Sequence, residues 1–485
     1  MGFDIKNIAK ELKVDASIVA ENAIIENLVF DSRIKTNAAL FFAIKGLQTD
    51  GHRFIDKAIA NGAIAIVCEK IPDTKKDRIS YLQVENTAKA LAKAAHYFYN
   101  KASENIKLIG ITGTNGKTTS ASLLFELHKK LGYKCGLIST IKYIIHDKEY
   151  PASHTTPDAI QINKLLAEMV EEGCEYCFME VSSHAIVQHR IDYLHFTAAV
   201  FTNITQDHFD YHQNFQNYIN AKKTFFDMLP KNAFALSNAD DRNGKIMLQN
   251  CNAKKYYYGI RQFADFHGKV MDSGINGLML KLNEVEMHSP LVGNFNAYNL
   301  TLVYAVASLL GHEKEEILPI LSGLGTVRGR FETILSEDNI MGIIDYAHTP
   351  DALENVLTTI NDIRTHNETL ITVVGAGGNR DKSKRPLMGK IASELSDKVV
   401  FCSDNPRNED PESILDDLIE GVEANRKTRY LRISDRKEAI RTAVMLAKPK
   451  DIILIAGKGH ETYQEIKGVK YDFDDRKILI QMLKK

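Results

Sequence analysis

The stretch Gly113-Thr114-Asn115-Gly116-Lys117-Thr118-Thr119 decides how this chain is read. It follows the apolar run 106–111 and opens a helix-like segment over 120–130, so the backbone passes from strand through a glycine turn to a helix N-terminus. Such a turn aims backbone N–H groups at an anion, and the helix dipole adds partial positive charge. Lys117 is placed to reach a terminal phosphate and Thr118 to hold a magnesium ion, which makes ATP the expected guest. The full Walker-type spacing would put glycine at position 111, where this chain has Ile111, so the loop is a shortened variant. The plain alternative is a turn that only joins strand to helix, but nothing structural calls for a Lys-Thr pair after the second glycine.

Working outward, apolar strands at 106–111, 176–181 and 197–202 alternate with helical stretches, the rhythm of a parallel sheet covered by helices. The strand at 176–181 ends Met-Glu-Val before Ser182-Ser183-His184, so Glu180 emerges at the end of a buried strand. A carboxylate there suits magnesium beside the phosphate loop. Beyond Asn203, Gln206-Asp207-His208-Phe209-Asp210-Tyr211-His212 crowds carboxylates and imidazoles into one loop. By itself that loop fits magnesium, zinc, or a solvated turn with a helix-capping aspartate, and the phosphate loop upstream favours magnesium. His154-Thr155-Thr156-Pro157-Asp158 offers hydroxyls before a proline-led helix, either as an anion site or as a simple cap.

A third region, from about residue 331, repeats the alternation with strands at 341–345, 369–374, 397–402 and 451–455. Each of three strands ends in a polar turn: Gly375-Ala376-Gly377-Gly378-Asn379-Arg380-Asp381, Asp404-Asn405-Pro406-Arg407, and Gly457-Lys458-Gly459-His460-Glu461. Ligands of open α/β sheets sit outside those carboxyl ends. Arg380, Arg407 and Glu461 suit a zwitterion, guanidinium on carboxylate and carboxylate on ammonium, unless they are only surface charges on tight turns. The first hundred residues read as a small α/β unit with strands at 39–44 and 63–68 and a helix over 87–99. The expected organisation is therefore α/β in three domains: 1–103, a central ATP-binding domain at 104–330 with a mostly parallel sheet, and a Rossmann-like domain at 331–485.

Composition narrows the partners. The 485 residues carry 61 Lys plus Arg against 62 Asp plus Glu, a net charge of −1, which argues against nucleic acid as the main partner. Cysteines at 68, 135, 174, 177, 251 and 402 are too sparse for a disulfide framework and fit a reducing cytoplasm. Cys174 and Cys177 have the spacing of half a zinc site, but no second pair lies nearby and core burial is the expectation. No secretory h-region and no apolar run long enough to cross a bilayer is present, so no membrane insertion is expected.

The ordered set GTNGKTT, HTTPD, EVSSHA, FTNITQDHFDYH, NAKK, GNFNAYN, GRFE, DYAHTPDAL, GAGGNRD, DNPR and AGKGHE, preceded by Asp31-Ser32-Arg33, resembles the Mur ligase family from residue 31 to residue 461. The resemblance implies that the first domain binds a uridine nucleotide through Ser32 and Leu47-Gln48-Thr49. It implies a sugar-peptide held by His154, Thr155, Thr156, Ser182, Gln188 and Arg190, with asparagine at the position of His154 in some members. Glu180 and His208 match metal-binding positions, and Lys222 in Asn-Ala-Lys-Lys matches a carbamylated lysine that serves as a carboxylate-like magnesium ligand. Asn296, Asn299, Arg330 and Asp345 match contacts to adenosine and phosphate. Arg380, Asp404, Asn405, Pro406, Arg407, Gly457 and Glu461 match the site of the incoming amino acid.

The implied activity is ATP-dependent amide formation by a cytoplasmic monomer with small-molecule substrates, using ATP and two magnesium ions. The D-glutamyl side-chain carboxylate of UDP-MurNAc-L-Ala-D-Glu takes phosphate, and meso-diaminopimelate attacks the acyl phosphate. Lys117, Glu180, His208 and Lys222 carry the chemistry. The DNPR motif favours diaminopimelate over lysine, since lysine lacks the second carboxylate and leaves Asn405 and Arg407 unpaired. A charged hydrogen bond contributes about 1.5–3 kcal/mol, and discrimination against an analogue lacking the bonded group reaches about 10⁴-fold. The alternatives are the same reaction with lysine, a folylpolyglutamate synthetase-like ligase, a nucleotide-dependent regulator without turnover, and a zinc hydrolase built on the His/Asp loop.

Overall fold

The computed structural model of the protein describes residues 2–14, 16–17, 23–46, 49–205, 207, 209–426 and 428–484. Its central sheet has eleven strands, and the parallel heart runs Cys135–Ile138, Tyr176–Glu180, Lys107–Thr112, Ala198–Phe201, Phe234–Asn238 and Lys254–Gly259. Ile109, Ile111, Phe178 and Val200 have no exposed surface, as continuous apolar runs covered on both faces should. One face packs on helices Lys117–Lys130 and Asn294–Leu309, the other on Ala159–Glu171 and Phe215–Asp227.

Two features depart from the sequence reading. The helix after the phosphate loop begins at Lys117 instead of residue 120, because its first turn is polar and shows no apolar period until Ala121. Antiparallel hairpins also extend both edges of the central sheet, Lys142–Ile145 with Lys148–Pro151, and Phe266–Gly274 with Gly277–Leu282 and Val285–Ser289. These edge strands mix polar residues with apolar ones, and Lys148–Pro151 is exposed throughout, so they carry a weaker signal than the buried centre.

A six-stranded sheet follows, ordered Glu332–Leu335, Met341–Asp345, Ile452–Ala456, Leu370–Val374, Lys398–Phe401 and Tyr430–Arg432, parallel except for its first pair. A five-stranded sheet near the N-terminus includes Asn27–Val29, Ala39–Phe42, Ala63–Cys68 and Ser80–Gln83. The fold is thus mixed α/β, and all six cysteines are free and buried, Cys174 and Cys177 among them. No helix among the described residues is long and apolar enough to cross a membrane.

Candidate active site at the phosphate loop and the interdomain cleft

Strand Lys107–Thr112 delivers Gly113 at φ +150°, where an added Cβ would lie 1.8 Å from Thr202 Oγ1. Only glycine fits so close to the neighbouring strand end. Asn203 fixes the loop, its carbonyl accepting from Thr114 N at 2.8 Å and its side-chain oxygen from Asn115 N at 3.0 Å. Thr202 Oγ1 donates to Asn115 O at 2.7 Å. Lys117 curls back over this turn, Nζ donating to Gly113 O at 2.9 Å and to Thr114 O at 2.7 Å. Burial lowers its pKa, while Glu180 and Asp207 pull in the opposite direction.

Glu180 is fully buried at the end of strand Tyr176–Glu180, beside the loop because that strand pairs in parallel with Lys107–Thr112. Thr118 Oγ1 donates to Glu180 Oε2 at 3.0 Å, and Thr140 donates to the same carboxylate through N at 2.7 Å and Oγ1 at 3.1 Å. Arg330 Nη2 donates to Thr118 Oγ1 at 3.1 Å, its guanidinium lying 4.8 Å from the Tyr346 ring centroid. Asn299 Nδ2 donates to Asn296 Oδ1 at 2.9 Å and its own Oδ1 accepts from Ser120 Oγ at 3.3 Å, which puts both asparagines behind the loop. Asp345 Oδ2 accepts from Phe331 N at 2.7 Å, and burial raises the pKa of its carboxyl. A hydroxyl and a carboxylate beside an anion cradle are hard oxygen donors of the kind magnesium selects, so the residues fit nucleotide phosphate with magnesium.

Lys222 is 1 % exposed, its Nζ 2.8 Å from Gly113 O and 4.5 Å from the Tyr218 ring centroid. Burial pulls its ammonium well below the usual lysine range; Lys117 adds to the shift and Asp207 opposes it. His208 lies outside the described residues, as does Gln206. Among the described residues no group of three or more His, Cys, Asp or Glu side chains could hold a metal ion.

The peptide-side candidates form a connected network next to the end of strand Tyr176–Glu180. Thr155 Oγ1 accepts from Thr140 Oγ1 at 3.0 Å. Thr156 Oγ1 donates to Glu180 O at 2.8 Å and accepts from Ser182 N at 3.0 Å, so its hydroxyl is engaged by the chain itself. Ser182 caps helix Ser183–Val187 through Ala185 N. Gln188 Oε1 accepts from Arg190 Nε and Nη2 at 3.0 and 2.6 Å, and Arg190 Nη1 donates to Thr156 O at 2.7 Å. His154 is exposed. On the first domain, Ser32 is buried and Thr49 exposed, while Leu47 and Gln48 lie outside the described residues.

Across the cleft, the three polar turns of the last sheet do meet. Asn405 Nδ2 donates to Glu461 Oε2 at 2.9 Å, and Asn405 Oδ1 accepts from Lys458 Nζ at 3.1 Å and from Glu465 N at 2.9 Å. Arg407 Nη1 donates to Gly378 O at 2.8 Å, and its Nε lies 3.3 Å from Glu465 Oε2. Asp404 and Pro406 are buried, and Gly457 N donates to Asp345 O at 3.0 Å, linking this crevice to the nucleotide side. Ser139, Thr140 and Thr155 from the central domain face Tyr346, Arg380 and Glu461 across a cleft of 1270 Å³.

Several contributors were not singled out from sequence. Thr140 holds Glu180, and its signal was a polar residue just beyond strand Cys135–Ile138. Asp351 Oδ2 accepts from Asn115 Nδ2 at 3.3 Å and Thr205 Oγ1 at 2.9 Å, joining the last domain to the phosphate loop. His460 lines the same cleft as Thr140; burial, with Arg330 and Arg328 nearby, lowers its pKa to about 3.

Three family models match the chain: the Mur ligase catalytic domain over residues 24–99, the Mur ligase middle domain over 111–307 and the Mur ligase glutamate ligase domain over 329–459. The chain is 50% identical to the UDP-N-acetylmuramoyl-L-alanyl-D-glutamate–2,6-diaminopimelate ligase of Phocaeicola vulgatus, with 98% of each covered. It is 53% identical to the protein of that name from Cytophaga hutchinsonii, with 94% of each covered. A solved structure bearing the same name aligns with a TM-score of 0.71 at 30% identity, covering 100% of this chain and 99% of that one. With its phosphate loop and buried carboxylate inside the middle-domain match and most of the facing crevice inside the glutamate ligase match, the chain belongs to the Mur ligase family.

Proposed function

We propose that the chain joins meso-diaminopimelate to the D-glutamyl side-chain carboxylate of UDP-MurNAc-L-Ala-D-Glu, converting ATP to ADP and phosphate. A carboxylate oxygen attacks the terminal phosphorus, the bond to ADP breaks, and an acyl phosphate results. The amine of diaminopimelate then attacks the carbonyl carbon, phosphate leaves, and the amine gives up a proton. Free carboxylate is a poor acyl donor because oxide is so basic a leaving group, whereas phosphate departs readily.

The chain's own part is positioning and charge. Lys117 turns from its loop carbonyls to the transferring phosphoryl group, Arg330 supports Thr118, and Asn296, Asn299 and Asp345 hold the nucleoside end. Thr118, Glu180, His208 and a carbamylated Lys222 would hold magnesium, two ions in all. Bound magnesium neutralises charge on the phosphates. Carbamylation needs a neutral amine to attack carbon dioxide, with loss of a proton, and the burial that depresses the Lys222 pKa favours that form. Thr155, Thr156, Ser182, Gln188 and Arg190 line the acceptor's path, with His154 at its mouth, and Ser32 with residues 47–49 receives the uridine end.

In the last domain, Arg380, Asp404, Asn405, Pro406, Arg407, Gly457 and Glu461 receive the amino acid. The division into 1–103, 104–330 and 331–485 follows these roles. The chain is read as acting as a monomer, and six free buried thiols suit the cytoplasm.

The observation that carries this reading is the cleft with Thr140 and Thr155 on one wall and Arg380 and Glu461 on the other. A cleft with such walls has room for an acyl acceptor beside Glu180 opposite an incoming amino acid, an arrangement that a simple nucleotide switch does not need. Incorporation of labelled meso-diaminopimelate and of lysine into the same nucleotide-peptide tests it. Product is expected with diaminopimelate and to a far smaller extent with lysine. Equal incorporation of both would overturn the assignment.

A further inference from the structure

Arg380 and Arg407 stand on separate loops, and the charged groups that tie those loops together, Arg385 and Glu409, are not among the residues lining the cleft. We propose that Arg385 and Glu409 are positioning residues: their paired side chains lock loop 375–381 to loop 404–409, and this lock aims Arg407 at the distal carboxylate of the amino acid. The inference rests on the function proposed above.

Arg385 has no exposed side-chain surface. Its Nη1 and Nη2 each lie 3.0 Å from one oxygen of Glu409, a forked pair that fixes orientation as well as distance. Nη2 also donates to Gly377 O at 3.3 Å, and Glu409 accepts from Asn379 N. Between those two gripped residues lies Gly378, whose carbonyl accepts from Arg407 Nη1 at 2.8 Å and whose N–H donates to Asn405 O at 2.9 Å. The acceptor that sets the Arg407 guanidinium is thus held on both sides by the buried pair.

Asn408 N closes the stitch by donating to Asn379 Oδ1 at 3.0 Å. Arg407 itself sits at φ +53°, an unfavourable setting for a side chain of this kind and one that persists only where surroundings enforce it. The Arg385 guanidinium holds the Glu409 carboxyl down to about 2, so the pair stays ionised throughout any working range. A second partner, Asp417 on helix Pro411–Glu420, lies 2.8 Å from Arg385 Nη1 and has no part in either loop.

Full-length Glu409→Gln, Arg385→Lys and Asp417→Asn variants separate positioning from plain support. The measurements are KM for meso-diaminopimelate, ATP and the nucleotide-peptide, the kcat/KM preference for diaminopimelate over lysine, and the thermal midpoint. Glu409→Gln and Arg385→Lys are expected to raise KM for diaminopimelate about tenfold or more and to lower the preference by a similar factor, leaving the other two KM values within about twofold. Asp417→Asn is expected to lower the midpoint with KM and preference unchanged. An unchanged diaminopimelate KM in Glu409→Gln, or three KM values rising together, overturns the proposal; Glu409→Gln decides alone if Arg385→Lys does not fold. Wild-type protein that fails to use diaminopimelate would instead sink the function itself.

Discussion

Thr118 Oγ1 meets Glu180 Oε2 at 3.0 Å although 62 residues separate them in the chain. Parallel pairing of Glu180 with Ile111 brings the carboxylate to the root of the phosphate loop, and the helix that starts at Lys117 turns the hydroxyl toward it. Arg330 reaches the same hydroxyl from the junction with the last domain. One hydroxyl therefore joins the phosphate loop to the buried Glu180 carboxylate and to Arg330 at the domain junction.

Replacing Glu180 with Gln keeps the shape and removes the charge. Turnover should fall about a hundredfold, the scale on which a single electrostatic stabiliser acts, and the magnesium concentration for half-maximal rate should rise. Coupled ADP release across a magnesium titration measures both. Unchanged magnesium dependence would exclude Glu180 from metal binding.

A carbamate on Lys222 gives a distinct carbon resonance when protein is equilibrated with carbon-labelled bicarbonate. The signal should be present in wild type and absent in Lys222→Gln. Its persistence in that variant would place the modification elsewhere.

Arg407→Ala removes a guanidinium held by Gly378 O and Glu465. The KM for diaminopimelate should rise about 10- to 100-fold, corresponding to a charged hydrogen bond of about 1.5–3 kcal/mol, with little change for ATP. Steady-state titrations of each substrate check it.

Asp351 connects the last domain to Asn115 and Thr205. Asp351→Ala should weaken closure, lowering kcat by about tenfold and reducing the ligand-induced fall in radius of gyration seen by small-angle scattering. A normal compaction in the variant would show that Asp351 does not hold the domains together.

On helix Lys117–Lys130, His128 is enclosed by Tyr176, Phe178 and His312 at ring distances of 4.7, 4.7 and 4.9 Å. Its Nδ1 bonds Leu124 O, and its Nε2 is buried without a hydrogen-bond partner among the described residues. Burial lowers its pKa to about 3, with His312 and Lys107 adding to the shift. The unfolded chain takes up the proton near pH 6.5 and the folded chain does not, so this contribution to stability is full above that pH and is lost as pH falls toward 3. At about pH 5 the loss is about 2 kcal/mol, and His128→Phe should reduce the acid sensitivity of the urea midpoint accordingly.

Much of the site was legible because its residues sit in local patterns: a glycine turn after an apolar run, Glu180 at the end of a buried strand, and three polar turns after three strands. Thr140, Asp351 and Arg385 were not, because each acts through partners far along the chain. Thr140 meets Glu180 only once strand Cys135–Ile138 pairs beside Tyr176–Glu180, and Asp351 meets Asn115 only when two domains touch. Arg385, beside Lys384 at the basic start of helix Lys384–Leu395, reads as a surface charge until its burial against Glu409 is seen. The edge hairpins escaped for a different reason, since their exposed faces dilute the apolar signal.

The central claim is that the acceptor carboxylate is phosphorylated before the amine attacks. With a nucleotide-peptide whose D-glutamyl side-chain carboxylate carries heavy oxygen, mass spectrometry of the phosphate released during turnover with meso-diaminopimelate tests it directly. One labelled oxygen in each phosphate, matched to one amide formed, is the predicted result. Unlabelled phosphate accompanying amide product would contradict the account.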